Sequence, residues 1–146
     1  MIGLQFAAYD FRFQDTEKGR YIFDVIRKKY VLLTPEEWVR QNVLHYLIHQ
    51  QGYPKGLISV EKEIKVGSLK KRYDIVVYDR ERRPWMLIEC KEAGVPLTDN
   101  VLQQLLRYHQ VLQCPYWLLC NGPQSFCAVV QEGQVEWLSG LPVYNG

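Results

Sequence analysis

The pattern of hydrophobic and polar positions changes period several times along the chain, and each change marks an element. Residues 3–33 are rich in aromatic and β-branched residues, with turn signals near Asp15–Gly19, and predict a hairpin or short meander. Thr34-Pro35-Glu36-Glu37 then opens a helix. Thr is a good N-cap, Pro suits the first helical position, and Glu37 completes a capping box. Val39, Val43, Leu44, Leu47 and Ile48 recur at the spacing of one helix face, and Gly52-Tyr53-Pro54 ends the run.

Residues 57–66 alternate as a strand does. Two stronger strands follow, 72–79 and 84–91, joined by the polar turn Arg80-Glu81-Arg82-Arg83; Pro84 is acceptable as the first residue of its strand. A second helix is predicted over 98–113, capped by Thr98 or Asp99, with Val101, Leu102, Leu105, Leu106, Val111 and Leu112 as its apolar positions. Segments 116–120 and 126–130 flank the turn Asn121-Gly122 as another hairpin, and 134–138 offers a last short strand. The order predicts an α/β (α+β) domain with a mixed central sheet flanked by helices. Residues 1–33 form an N-terminal β extension and 34–130 the core of a single domain spanning 1–146.

Composition sharpens this only in places. The chain has 146 residues, 47% hydrophobic and 13% aromatic, ample for a buried core. A net charge of +2 is too small to imply nucleic acid by itself. Arg27-Lys28-Lys29, Lys70-Lys71-Arg72 and Arg80 with Arg82-Arg83 are local basic clusters, of a kind usually found as solvated loop charges. The cysteines Cys90, Cys114, Cys120 and Cys127 form no CxxC pair and lie in apolar surroundings, as reduced core cysteines of a cytoplasmic protein do. No window approaches the ~18 consecutive apolar residues of a membrane span, and no secretory signal pattern opens the chain. His45 and His49 are spaced as zinc ligands can be, but the Glu of a zinc protease motif and a third ligand are missing, so a solvated helix face is expected. There is no Gly-rich phosphate loop, which argues against ATP hydrolysis within this chain, and no serine sits in a nucleophile elbow.

The two central strands carry the candidate chemistry. A turn symmetric about Glu81–Arg82 pairs Tyr78 with Trp85, Val76 with Leu87, Asp74 with Glu89 and Arg72 with Lys91. By strand alternation Asp74, Glu89 and Lys91 then share one face, with Ile75, Val77, Met86 and Ile88 on the other. Opposed side chains lie about 5 Å apart at Cβ, where like charges destabilise. A hard divalent cation would account for two facing carboxylates, because Mg²⁺ takes oxygen ligands and keeps several waters. Such an ion can bind a phosphate oxygen, acidify a water and offset charge on the leaving oxygen. Lys91 could orient that water or stabilise the phosphate. The competing reading is a surface hairpin with ordinary solvated charges, since acid–x–Lys is a common pattern. The run Trp85-Met86-Leu87-Ile88 speaks against it, because charges at the end of a buried strand are costly unless paired or functional.

Residues 22–108 resemble the N-terminal nuclease domain of the R subunit of type I restriction enzymes, in its short bacterial form. The resemblance rests on Ile22-Phe23-Asp24, Arg27-Lys28-Lys29-Tyr30, Thr34-Pro35-Glu36-Glu37-Trp38-Val39-Arg40-Gln41, Gly52-Tyr53-Pro54, Lys71-Arg72-Tyr73-Asp74-Ile75-Val76-Val77-Tyr78, Ile88-Glu89-Cys90-Lys91 and Gln104-Leu105-Leu106-Arg107-Tyr108. It implies a PD-(D/E)XK nuclease that cleaves DNA with Mg²⁺, for which Mn²⁺ can substitute. It also implies Asp74, Glu89 and Lys91 as the catalytic motif, and Gln104 and Tyr108 as the Q-x-x-x-Y element of some nucleases of this fold. Arg-Tyr rather than Pro-Asp precedes the first acid, and residues 123–146 match no feature of the family. DNA is the partner the resemblance implies; the ATP-driven motor of such subunits is absent here, which leaves open whether the chain acts alone or with other restriction subunits. The alternative is a catalytically silent module that binds DNA or a partner subunit.

Several supporting residues keep two readings. Glu36 or Glu37 would help hold metal, as a helix carboxylate does in related nucleases; both also suit a helix N-terminus, and Glu37 the capping box. Gln104 and Tyr108 share a helix face and would position phosphate or backbone, unless Tyr108 is simply a buried tyrosine. Arg40 would contact phosphate or pair with Glu36 at i,i+4. Lys70, Lys71, Arg72 and Arg107 complete the expected DNA-binding set.

Overall fold

A computed structural model describes residues 2–100, 103, 104, 107 and 112–146. The chain opens with three antiparallel strands, β1 (Phe13–Thr16), β2 (Gly19–Asp24) and β3 (Lys29–Leu32), which form a small sheet of their own in that order. The expected meander is present. Asp24 ends β2 and is fully buried. Its Oδ1 accepts the backbone N–H of Ile26 at 2.7 Å and of Arg27 at 2.8 Å, which turns the chain into β3.

Helix α1 (Pro35–His45) starts where the capping box places it. Thr34 is extended, and its hydroxyl accepts the Glu37 N–H at 3.0 Å. Val39, Val43 and Leu44 are buried along one face, continued by Leu47. Residues 46–50 widen into a π turn, and Gly52, with φ +67°, ends the run. The histidines differ from expectation. His45 is buried, stacking on Phe11 at 4.7 Å and Tyr9 at 5.4 Å, because the segment before β1 folds over that side of the helix; His49 is exposed.

The main sheet has six strands in sequence order: β4 (Ile58–Val66), β5 (Leu69–Tyr78), β6 (Pro84–Cys90), β7 (Tyr116–Cys120), β8 (Ser125–Gln131) and β9 (Gln134–Leu138). Every neighbouring pair is antiparallel except β6–β7, which is parallel and makes the sheet mixed. A parallel pair needs a long crossover. Residues 91–115 supply it, and Asp99, Asn100, Gln103, Gln104, Arg107 and Leu112 within it are helical. One sheet face packs Ile75, Val77, Met86, Ile88 and Leu118 against α1; Tyr73, Val76, Leu87, Trp117 and Leu119 cluster apart from them.

The central hairpin keeps the expected register at Val76↔Leu87, with Ile75↔Ile88 and Val77↔Met86 beside it. It departs at the turn, where Tyr78 faces Pro84 rather than Trp85. Asp79 is the cause: its Oδ1 accepts the N–H groups of Glu81 and Arg83, both at 2.9 Å, and its own N–H bonds Arg83 O. The loop is thus closed by a side chain and is not symmetric about Glu81–Arg82.

The last residues, unmatched in the sequence, brace that end of the hairpin. Tyr144 Oη donates to Tyr78 O at 2.8 Å, Trp85 Nε1 to Asn145 Oδ1 at 3.1 Å, and Tyr53 Oη to Pro142 O at 2.6 Å. No helix among the described residues is long and apolar enough to cross a membrane.

Candidate active site

At the far end of the hairpin, β5 loses its regular alternation. Tyr73 and Val76 are three residues apart yet belong to one core cluster, while Ile75 and Val77 belong to the other. A regular strand would put Tyr73 with Ile75. The change falls at Asp74. The β4–β5 ladder skips Asp74 together with Glu61, whose φ is +54°. Strand alternation is therefore not what places Asp74, which lies one residue beyond the last paired position of β5 with β6.

Freed from the ladder, the Asp74 carboxylate is held by two donors. Cys90 N–H donates to Oδ2 at 2.7 Å, and Arg40 Nη1 donates to Oδ1 at 3.3 Å. Glu89 lies close enough to feel the charge of Asp74: burial first, then that charge, push its pKa up to about 7, against the opposing charge of Lys71. Lys71 Nζ lies 3.0 Å from Glu89 Oε1 and 4.9 Å from the Tyr73 ring centre.

Lys91 follows β6 directly, with its backbone N–H on Cys120 O at 2.8 Å. Among the described residues its ammonium forms no ion pair. It acts at longer range on Glu36: burial and the Asp74 charge raise the Glu36 pKa, while Lys91 and Arg40 lower it. Glu36, exposed at the first turn of α1, thus shares an electrostatic neighbourhood with Asp74 and Lys91.

Glu37 has a different environment. Arg40 Nε donates to its Oε2 at 2.9 Å and Arg40 Nη2 to its Oε1 at 2.6 Å. Arg27 Nη2 adds 2.9 Å to Oε1, and Gln41 Nε2 adds 3.1 Å to Oε2. Burial alone would raise the Glu37 pKa, but the donors prevail and hold it at about 2. Arg40 pairs with Glu37 at i,i+3, not with Glu36 at i,i+4, because Glu37 points into the interior beside it. Arg40 is itself buried, its guanidinium spent on Glu37, Asp74 and Glu61. Arg27 and Glu61 are partners that the sequence did not point to. Their signal was the acid- and base-rich spacing around α1, but only the fold brings them together.

The remaining expected residues spread out. Lys70 and Arg72 are exposed on β5, with Lys70 Nζ 3.8 Å from Glu63. Lys71 is turned to Glu89 instead. Gln104 and Arg107 are exposed on the helical crossover, and Tyr108 lies outside the described residues. Among the described residues no group of three or more His, Cys, Asp or Glu side chains is arranged to hold a metal, so Asp74 and Glu89 stand as a pair.

A family model described as the N terminus of the type I restriction enzyme R protein matches residues 35–142, and so takes in residues 123–142, for which the sequence had offered no family feature. The chain belongs to that family. No curated protein is a detectable sequence relative. A fragment of a candidate HsdR subunit of a type I restriction enzyme from Vibrio vulnificus is similar in structure, with a TM-score of 0.53 and 19% identity. The likeness covers 76% of this chain but 24% of that one, so this chain spans about a quarter of it. A candidate nuclease of the DUF820 group from Anabaena variabilis is similar over 90% of this chain and 84% of its own, with a TM-score of 0.52 and 14% identity. These likenesses establish a nuclease-like fold, and membership of the R-protein family ties the chain to restriction.

Proposed function

We propose that this chain is a Mg²⁺-dependent DNA endonuclease domain of the PD-(D/E)XK type, acting in restriction with other subunits of its system. The observation that carries the reading is the Asp74–Glu89 pair at the end of a buried strand: Asp74 is held by Cys90 N–H and Arg40, Glu89 by Lys71, and the charge of Asp74 bears on Glu89. A divalent cation fits there, since it would offset the two carboxylates in place of the Glu89 proton and of Lys71. Two protein carboxylates suffice for Mg²⁺, which fills its other positions with water and substrate oxygens. When bound, the ion would polarise the scissile phosphate and acidify a water.

The chain's own residues divide the other tasks. Asp74, fixed by Cys90 N–H and Arg40, presents one carboxylate, and Glu89 a second once its proton leaves. Glu36, rather than the fully occupied Glu37, is the helix carboxylate available to support the ion or its waters. Lys91 supplies the mobile ammonium that orients the attacking water or meets the phosphate. Lys70, Arg72 and Arg107 are exposed cations suited to the DNA backbone, whose phosphates such side chains neutralise. Gln104, on the exposed crossover, would join them with Tyr108.

Lys91→Ala tests the reading. Cleavage of supercoiled DNA in Mg²⁺ should fall about 100-fold or more, the scale of a lost general acid–base group. The thermal midpoint and DNA affinity should stay near wild type, since an end-of-strand surface change costs less than ~0.5 kcal/mol. Equal cleavage by both proteins would remove Lys91 from the mechanism. Retained DNA binding with no cleavage by wild type, even with partner restriction subunits added, would leave a silent binding module.

A further inference from the structure

We propose that Arg40 is a positioning residue for Asp74, and that the N-terminal β-sheet is the base on which it is steadied. The inference rests on the metal-site reading above. Asp74 sits where the ladder is interrupted, so no backbone pairing fixes its side chain. Cys90 N–H orients one oxygen. The other oxygen depends on Arg40 Nη1, the side-chain donor 3.3 Å away.

Arg40 cannot swing freely. Glu37 grips it through two donor nitrogens, Nε and Nη2, on two carboxylate oxygens, which fixes the guanidinium plane. Nη1 is thereby left pointing at Asp74. Glu37 is held in turn by Arg27 and Gln41. Both of these also bind Asp24 Oδ2, Arg27 Nε at 2.7 Å and Gln41 Nε2 at 3.0 Å. Asp24 is locked into the β2–β3 turn by two backbone N–H groups. A continuous chain of charge-assisted hydrogen bonds thus runs from the small sheet through α1 to Asp74. Each group in it is buried or nearly so, so that water competes little for the bonds. Glu61, at the same interruption, touches both arginines, with Nη1 of Arg27 at 3.5 Å and Nη2 of Arg40 at 3.4 Å. Surface ion pairs have no need of such enclosure. A group that must present a carboxylate in one orientation does, because the partners of a metal ligand set its aim.

The test compares wild type with Arg40→Gln, Arg40→Lys and the charge-balanced double variant Glu37→Gln/Arg40→Gln. Mn²⁺ binding is followed by calorimetry, DNA cleavage against Mg²⁺ concentration, DNA affinity in Ca²⁺, and folding by thermal melts. Arg40→Gln should raise the Mn²⁺ dissociation constant and the half-saturating Mg²⁺ about 10- to 100-fold, the usual effect of losing a partner of a metal ligand. DNA affinity should hold, and Arg40→Lys should recover only part, lacking the fork that aims Nη1. If Arg40→Gln fails to fold, the double variant, which leaves no lone buried charge, carries the same expectation. A folded Arg40 variant with wild-type Mn²⁺ affinity and Mg²⁺ dependence would overturn the proposal while leaving the nuclease reading intact. A wild type that neither binds Mn²⁺ nor cuts DNA would overturn both.

Discussion

Glu37 and Glu89 are glutamates of the same ordinary pKa, 4.5, driven in opposite directions by what surrounds them. Both are removed from water, which alone raises a carboxyl pKa. Glu37 meets four donor nitrogens and falls to about 2; Glu89 meets Asp74 and rises to about 7. The linkage signs differ accordingly. The depressed Glu37 contributes stability that is complete above 4.5 and lost as pH falls toward 2. The raised Glu89 contributes stability that is complete below 4.5 and lost as pH rises through 7. The metal-free protein should therefore lose stability between about pH 4.5 and pH 7, by at most about 3 kcal/mol. Thermal melts in a chelator should show that slope, and Glu89→Gln should abolish it. Saturating Mg²⁺ should flatten it by replacing the proton. A wild-type midpoint independent of pH over this window would contradict the assigned contact. The apolar run 85–88 let the sequence anchor the register at Val76↔Leu87, but the ladder ends at Ile75↔Ile88, so the expected opposition of Asp74 and Glu89 falls beyond the paired positions. The sequence could not choose between Glu36 and Glu37. Local capping accounts for both, and the deciding partners, Arg27 and Asp24, arrive from another sheet.

At the scale of elements, helix α1 shows how a local signal serves a distant site. The box Thr34-x-x-Glu37 is an N-cap, and its side-chain bond at 3.0 Å is in place. Its Glu also anchors Arg40 and Arg27. The two roles separate by mutation. Thr34→Ala removes one cap bond and should cost about 1 kcal/mol, which lowers the thermal midpoint by roughly 2–4 °C in a chain of this size. Glu37→Ala takes the tightest acid from Arg40 and one acid from Arg27, leaves both enclosed guanidinium groups to their remaining partners, and should cost more, about 3 kcal/mol. Equal losses in denaturant titrations would mean that Glu37 only caps. The strands were legible because alternation and apolar runs give each a clear period, bounded by turn residues such as Gly67, Asn121-Gly122 and Gly133. The bulge at Tyr78 and the interruption at Asp74 were not legible. One depends on the Asp79 side chain closing its own turn, the other on Glu61 leaving the ladder across from it. Both break the symmetry that a register argument assumes, and the second sits at the candidate site, where such irregularities concentrate.

For the whole molecule, the mixed sheet follows from one choice. β6 and β7 run parallel, so the chain must cross over between them, and that crossover carries Gln104 and Arg107 on the surface. The C-terminal residues had no readable motif because their partners, Tyr53, Tyr78 and Trp85, are 60 or more positions away in sequence. They close the hairpin at its turn end, and the acid pair opens at the other. We infer that this pair takes a divalent cation, which displaces the Glu89 proton and the Lys71 contact. Anomalous diffraction from crystals soaked in Mn²⁺ tests it most directly. A strong peak should appear within coordination distance of the Asp74 and Glu89 carboxylates, at about 2.0–2.3 Å, with Lys71 displaced from Glu89. Crystals that take up Mn²⁺ elsewhere, or not at all, with the Lys71–Glu89 contact unchanged, would contradict it.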